Sequence, residues 1–286
     1  VNDKGEIVVV APIKGGPSQK AGIQAEDIII KVDDQELAKN DLESAVKLMR
    51  GEEKAGTEVK VTIKRVVDSE EKILDFTLKR EEITTESVSS KLLDNGILYI
   101  QITNFAEKTG EDFEKAVDEG LKKGAKSLII DLRNNPGGLV TAVKQVADKI
   151  LPDATIMKVV DSKGHETIEK ASGSGLDMPI IVLINKGSAS ASEVLSVALH
   201  DNKKAQLLGE KSFGKGIIQS IFPINNEGKA EGIKITIAEY FGPNGTKINK
   251  VGLEPDHKVE QKNYSKIGIE HLDIDPQLQK AIELLK

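Results

Sequence analysis

The chain of 286 residues contains no cysteine. That excludes disulfides, a thiol nucleophile and thiolate metal sites, and it fits either the cytosol or the outside of a cell. No apolar run reaches 18 residues, so nothing in the chain reads as a membrane-spanning helix. The four histidines, His165, His200, His257 and His271, lie far apart and without metal-ligand spacing. A basic stripe is also missing. The formal charge of −6 is spread through mixed-sign stretches, which argues against nucleic acid as a partner. No signal peptide is visible. The abrupt opening Val1-Asn2-Asp3 reads as the middle of a domain, so a fragment is expected and the missing leader carries no information on compartment.

What is present is a soluble globular composition, 38% hydrophobic and 30% charged, with length enough for two domains. The first 82 residues read as a small β-α-β-α-β module. Strands are expected at 7–10, at Asp27 to Val32, and at Val59, Val61 and Ile63, whose alternation buries one face. Ser18 to Ala21 make a helical turn stopped by Gly22. Asn40, with Glu43 three residues on, reads as a capping box for a helix. Leu42, Ala45, Val46 and Met49 form its apolar face, Arg50 lies at its end and Gly51 stops it.

After an acidic connector, Glu81 to Ser90, residues 83–286 read as an α/β domain that turns β-rich near its end. Gly96 to Ile102, Ser127 to Leu132 and Met178 to Ile184 are expected strands. The helix over Glu111 to Lys122 would bury Phe113, Val117 and Leu121. The helix after Gly138 would bury Val140, Val143, Ala147 and Ile150. Two strand–turn–helix units suggest a parallel layered sheet with its functional loops at the strands' C-terminal ends. From Gly216 the pattern changes to strands at Ile217 to Phe222 and Gly232 to Tyr240, and Pro276 to Leu285 is an amphipathic helix.

Three segments carry candidate chemistry. The first is Asn185-Lys186-Gly187-Ser188-Ala189-Ser190-Ala191-Ser192-Glu193, between an apolar strand and a helix. Such a turn places a serine hydroxyl near free N–H groups and the positive end of a helix dipole, where a nucleophile that creates an oxyanion belongs. The plain alternative is a serine N-cap on an ordinary crossover. Sequence physics leaves Ser188, Ser190 and Ser192 equally open. The second segment is Asn135-Pro136-Gly137-Gly138, where glycine lets backbone N–H groups approach a ligand closely. The third is Ser212-Phe213-Gly214-Lys215-Gly216-Ile217-Ile218-Gln219. With no histidine–aspartate pair spaced for a triad, a neutral lysine is the economical base for a serine. Small and apolar neighbours such as Phe213 and Gly214 would favour that neutral form, and Gln219 could orient the amine. His200, on the helix after the serine turn, reads as a structural or surface residue. The stretch from Gly209 also fits the first seven positions of a P-loop. It fails at the eighth, Gly216, where Ser or Thr should hold Mg²⁺, and a strand follows instead of a helix.

Two resemblances follow from these motifs. Pro12-Ile13-Lys14-Gly15-Gly16-Pro17-Ser18-Gln19-Lys20-Ala21-Gly22-Ile23 with Glu26-Asp27-Ile28-Ile29 resembles a PDZ domain of the protease-associated kind. Its first strand and its carboxylate-binding loop, which would lie upstream of Val1, are absent from this sequence. The set Asp131-Leu132-Arg133-Asn134-Asn135-Pro136-Gly137-Gly138, Gly187 to Glu193, Phe213 to Gln219 and Gly252-Leu253-Glu254-Pro255-Asp256 resembles the carboxy-terminal processing (tail-specific) proteases. These are PDZ-containing serine peptidases with a Ser-Lys dyad. The resemblance implies a crotonase-like (ClpP/crotonase) α/β core, an extracytoplasmic place of work, and no metal, nucleotide or other cofactor. It assigns the nucleophile to Ser190, the general base to Lys215 and its orienting partner to Gln219. It also places the oxyanion hole at the N–H groups of Gly138 and Ala191, while Asp131, Arg133 and Glu193 read as structural partners of strand and helix ends. Protein or peptide substrates, engaged through their C-terminal tails, would be the partners, with Arg50 a candidate regulatory contact and a homodimer left open. Rival classes are a non-catalytic PDZ adaptor with a degenerate protease fold and a crotonase-like acyl-CoA enzyme. The second does not explain the Ser–Lys–Gln set.

Overall fold

A computed structural model describes the chain except residues 3, 10, 11, 13–15, 25, 52–54, 68, 69, 82–85, 227, 228 and 262–266. The chain forms two compact units, Val1–Glu86 and Ser87–Lys286. The expected boundary at residue 82, and three residues of the loop expected at Ile13 to Pro17, lie outside the described residues.

The first unit is an antiparallel sheet with two short helices. Its elements are β1 (Ile7–Val8), α1 (Pro17–Ala21), β2 (Ile28–Val32), β3 (Gln35–Glu36), α2 (Leu42–Arg50), β4 (Glu58–Val67) and β5 (Glu70–Lys79). Strand order is β1-β2-β4-β5, with β3 paired to β2. Val59, Val61 and Ile63 are buried as their alternation requires, and they pack with Val32 and Ala45. Asp27, buried, receives the Arg65 guanidinium at 2.6 Å, and Arg65 also bonds the Gly22 carbonyl at 2.8 Å, which ties the end of α1 to the sheet. Two local expectations need correction. The N-cap of α2 is Asp41, whose carboxylate takes the Ser44 N–H at 3.1 Å. Asn40 instead adopts a left-handed φ of 61° and donates its N–H to the Gly5 carbonyl. The apolar face of α2 is carried by Ala45, Leu48 and Met49, while Leu42 and Val46 are exposed. Arg50 is exposed at the end of α2, where Arg80 bonds the carbonyls of Leu48 and Met49.

The second unit is built on a six-stranded sheet of order β15-β12-β11-β8-β7-β6. Its strands are β6 (Val88–Leu92), β7 (Ile97–Ile102), β8 (Ser127–Asp131), β11 (Ile180–Ile184), β12 (Gln206–Gly209) and β15 (His257–Lys258). All are parallel to their neighbours except β6, which runs against β7. Period-two alternation sorts their side chains. Leu98, Ile100, Leu128, Ile130, Val182 and Ile184 face one core, with helices α3 (Thr109–Lys122), α4 (Val140–Ile150) and α5 (Ala191–Asp201). Ile97, Tyr99, Ile129, Ile181 and Leu183 face the other, with α6 (Pro276–Leu284). Covering both faces is what parallel strands demand, and each fully buried Leu, Ile or Val side chain contributes about 1.5–3 kcal/mol. Leu121 and Val140, expected in the core, are exposed. Gly120 packs against Leu98 in the place a larger residue would contest.

A second, antiparallel sheet has the order β10-β9-β14-β13, from β9 (Ala154–Asp161), β10 (Glu166–Ala171), β13 (Ile217–Asn226) and β14 (Lys229–Phe241). The loops after β8, β11 and β12 leave the parallel sheet at the C-terminal ends of its strands. They hold the Asn135–Gly138, Gly187–Glu193 and Ser212–Lys215 segments respectively.

Candidate active site

The turn after β11 separates its three serines by geometry. Ser188 is fully buried; its hydroxyl donates to the Leu132 carbonyl at 2.8 Å and accepts the Asn185 N–H at 2.9 Å. Ser192 is equally buried and donates to the Asn135 carbonyl at 2.9 Å. Both hydroxyls are consumed in holding loops together. Ser190 is half-buried, at the N-cap of α5, with φ 56° and ψ −115°. A non-glycine residue held at positive φ in a sharp strand-to-helix turn is strained, and such strain collects at functional sites.

The Asn135–Gly138 loop is pinned against this turn. The Asn135 amide donates to the Ile102 carbonyl and accepts the Gly137 N–H, both at 2.8 Å, and the Asn135 carbonyl takes the Ala189 N–H. The contact is closest at Gly137, φ 105°, where a Cβ would meet the Ala189 carbonyl oxygen at 2.8 Å and the Ser190 Cβ at 2.9 Å. Gly138, φ 146°, has no room either: a Cβ would lie 2.2 Å from the Phe105 carbonyl oxygen. Phe105 accepts the Leu139 N–H and donates to the Gly137 carbonyl, so the Gly138 N–H points away from it. Among the described residues neither the Gly138 N–H nor the Ala191 N–H has an acceptor. Ala191 follows Ser190 directly at the positive end of α5, and Gly138 follows the Gly137 that lies against the Ser190 Cβ.

Glu193 joins the serine turn to the lysine loop. Its carboxylate is fully buried and accepts four hydrogen bonds. Oε1 takes the Ser212 hydroxyl at 2.6 Å and the Gly214 N–H at 2.7 Å. Oε2 takes the Ser190 N–H at 2.9 Å and the Lys215 N–H at 2.8 Å. Ser212 is held in turn by Leu253, which donates its N–H to the Ser212 hydroxyl and accepts the Ser212 N–H. This explains why Gly252-Leu253 belongs with the other motifs. On the far side of the lysine, the Tyr240 hydroxyl donates to the Lys215 carbonyl.

The structure therefore brings the main chains of Ser190, Ala191, Gly138 and Lys215 into one place. The Lys215 side chain is half-buried, and its amine has no hydrogen-bond or ion-pair partner among the described residues. Phe213, expected to cover it, is exposed, because its N–H is committed to the Ser188 carbonyl and its ring is left outside. Gln219 is exposed on β13 opposite Thr236, next to a bulge whose extra residue is Ile237. His200 lies in the last turn of α5, roughly 15 Å along the axis from Ser190, and pairs with Asp256 at 3.1 Å. Arg50 belongs to the first unit.

Behind the site lies a buried ion-pair network. Arg133 binds Asp131 at 2.6 Å and Asp275 at 2.8 Å, and the Tyr99 hydroxyl donates to Asp131 at 2.7 Å. Burial works against the Arg133 charge, but Asp131 and Asp275 outweigh it and raise its pKa further. Burial tends to raise the Asp275 carboxyl; the Arg133 bond and charge prevail and hold it below the usual range. Asp275 also caps α6 through the N–H groups of Gln277 and Leu278. Tyr240 and the fourfold role of Glu193 escape sequence reasoning. Only the Ser/Glu spacing at the helix start hints at the second.

Residues 96–259 match peptidase family S41, and residues 1–79 match the PDZ domain. The carboxy-terminal processing protease CtpA of Bacillus subtilis is 38% identical over 273 residues, covering 95% of this chain and 56% of its own length. The carboxyl-terminal-processing protease of Synechocystis is 36% identical over 285 residues, covering 98% of this chain and 65% of its own length. Among solved structures, the photosystem II D1 C-terminal processing protease superposes with a TM-score of 0.59 at 32% identity, over 90% of this chain and 69% of that one. The chain belongs to peptidase family S41. It spans between about half and two thirds of the length of these curated relatives.

Proposed function

We propose that the chain is the PDZ-bearing catalytic part of a serine endopeptidase of the carboxy-terminal processing type. The observation that carries this reading is the state of Ser190. It alone of the three serines on its turn has strained backbone and a hydroxyl not committed to a carbonyl, and among the described residues the nearby Ala191 and Gly138 N–H groups have no acceptor. In the proposed reaction the Ser190 oxygen bonds to the scissile carbonyl carbon while the Lys215 amine takes its proton. The Gly138 and Ala191 N–H groups hold the resulting oxyanion. Collapse breaks the C–N bond, the proton passes to the leaving amine, and water then releases the acyl group by the same route. Gln219 orients the lysine amine. Among the described residues no carboxylate holds that amine in an ion pair, which supports its role.

Leu139, Val140 and Phe213, all exposed beside the loops of the site, favour apolar side chains in the substrate. The printed role of the relatives, carboxy-terminal processing, suggests a protein substrate entered from its tail. The PDZ domain would then regulate by preferring that tail in one arrangement, with Arg50 a candidate contact. Such work would be done outside the cytoplasm. Incubation with β-casein tests the reading. The wild-type chain should cut it, and Ser190→Ala, with an unchanged circular dichroism spectrum, should not. A non-catalytic adaptor would leave casein intact in both cases and fail to react with a fluorophosphonate.

A further inference from the structure

Lys215 sits between Gly214 and Gly216, the most freely rotating neighbours a residue can have. Its amine finds no partner among the described residues, so its position depends on what holds its main chain. Glu193 holds the N–H side. Tyr240 holds the other side at two points: its hydroxyl donates to the Lys215 carbonyl, and its own N–H donates to the Gly216 carbonyl at 3.0 Å. The body of Tyr240 is buried in the main core cluster, with only its polar tip delivered to the site. That tip also meets the Ser190 side chain. One phenol thus touches the main chain of the base and the side chain of the nucleophile.

We propose that Tyr240 is a positioning residue for the Ser190–Lys215 pair, its hydroxyl fixing the Lys215 peptide beside the serine. This rests on the function proposed above. Burial raises the phenol's pKa, the Ser190 hydrogen bond opposes this and the Glu193 charge adds to it, so the net shift is upward and the hydroxyl remains a donor. Without the hydroxyl the Lys215 carbonyl loses its direct anchor and only the neighbouring Gly216 carbonyl stays held, by the Tyr240 N–H; a reacting group displaced by about 1 Å can lose about 100-fold in rate.

The test is Tyr240→Phe, which removes one oxygen and keeps the ring. It should lower kcat on casein-derived peptide by about 100-fold with KM within about twofold of wild type. Labelling of Ser190 by a fluorophosphonate should slow by a similar factor, read per folded molecule from the labelled fraction at completion. Tyr99→Phe is the control. It removes another buried hydroxyl, on the opposite core, and should lower the melting temperature while keeping kcat. A Tyr240→Phe enzyme with wild-type kcat and labelling rate would overturn the proposal. So would a variant that does not fold, or one whose labelling is normal once corrected for folded fraction. A wild-type chain that neither cleaves nor labels would instead refute the peptidase reading, and this one with it.

Discussion

Replacing Glu193 by glutamine tests the clamp between the serine turn and the lysine loop. The carboxylate offers each oxygen to two donors: Ser212 and Gly214 on Oε1, Ser190 and Lys215 on Oε2. A glutamine keeps one oxygen and puts an NH₂ where the other was. In either orientation two donors then face a donor. Ser212 could turn its hydroxyl, but that oxygen already accepts the Leu253 N–H at 2.7 Å. Each lost hydrogen bond to a buried charged group costs about 1.5–3 kcal/mol, so the pair costs about 3–6 kcal/mol. At about 2–4 °C per kcal/mol for a unit of this size, the melting temperature of the second unit should fall by about 6 °C or more. Peptide cleavage, measured well below that temperature, should fall by about 100-fold beyond any loss of folded protein, because both loops relax together. Glu193→Asp, one methylene shorter, should recover little, since it cannot span both loops. A glutamine variant that melts within about 2 °C of wild type and cleaves at full rate would refute the clamp.

Lys215→Arg should be as inactive in casein cleavage as Lys215→Ala, because a guanidinium stays protonated at any workable pH, whereas Gln219→Ala should retain residual activity. Gly138→Ala places a methyl against the Phe105 carbonyl oxygen at 2.2 Å and should cost about 100-fold in kcat if, as proposed, it moves one oxyanion donor. The depressed pKa of Asp275 predicts acid lability. Its contribution is complete above the ordinary aspartate pKa of about 4 and is lost as pH falls through the lower folded value. Melting temperature should therefore drop across that acid window, and Asp275→Asn should flatten the slope while lowering stability at neutral pH.

The sequence makes the parallel sheet readable because Ser127 to Leu132 and Met178 to Ile184 are apolar on both faces, a pattern that only covered strands tolerate. The serine turn and the two glycine-bearing loops are readable from composition and spacing. Edge elements are not. β10 carries Glu166, Glu169 and Lys170 and is mostly exposed, so its alternation has no apolar contrast to announce it. β5 is different: Leu74, Phe76 and Leu78 alternate toward the core of the first unit, a contrast the sequence does carry. The choice of Ser190 over Ser188 and Ser192 depends on a backbone φ and on carbonyls from another loop, Leu132 and Asn135, which no local pattern encodes. Cap placement fails by one residue at Asn40, since Asn and Asp serve equally as caps and Asn alone is also at ease at positive φ. Arg133 and Asp275 meet across the length of the domain, and Tyr240 differs from a core tyrosine only by what its hydroxyl reaches.

The central claim, that Ser190 is the nucleophile, is tested most directly by mapping a fluorophosphonate adduct on the folded wild-type chain by peptide mass spectrometry. The account predicts a single modified residue, Ser190, with the reaction unaffected in kind by Ser188→Ala or Ser192→Ala. An adduct on Ser188 or Ser192, or undiminished labelling of the turn in Ser190→Ala, would contradict it.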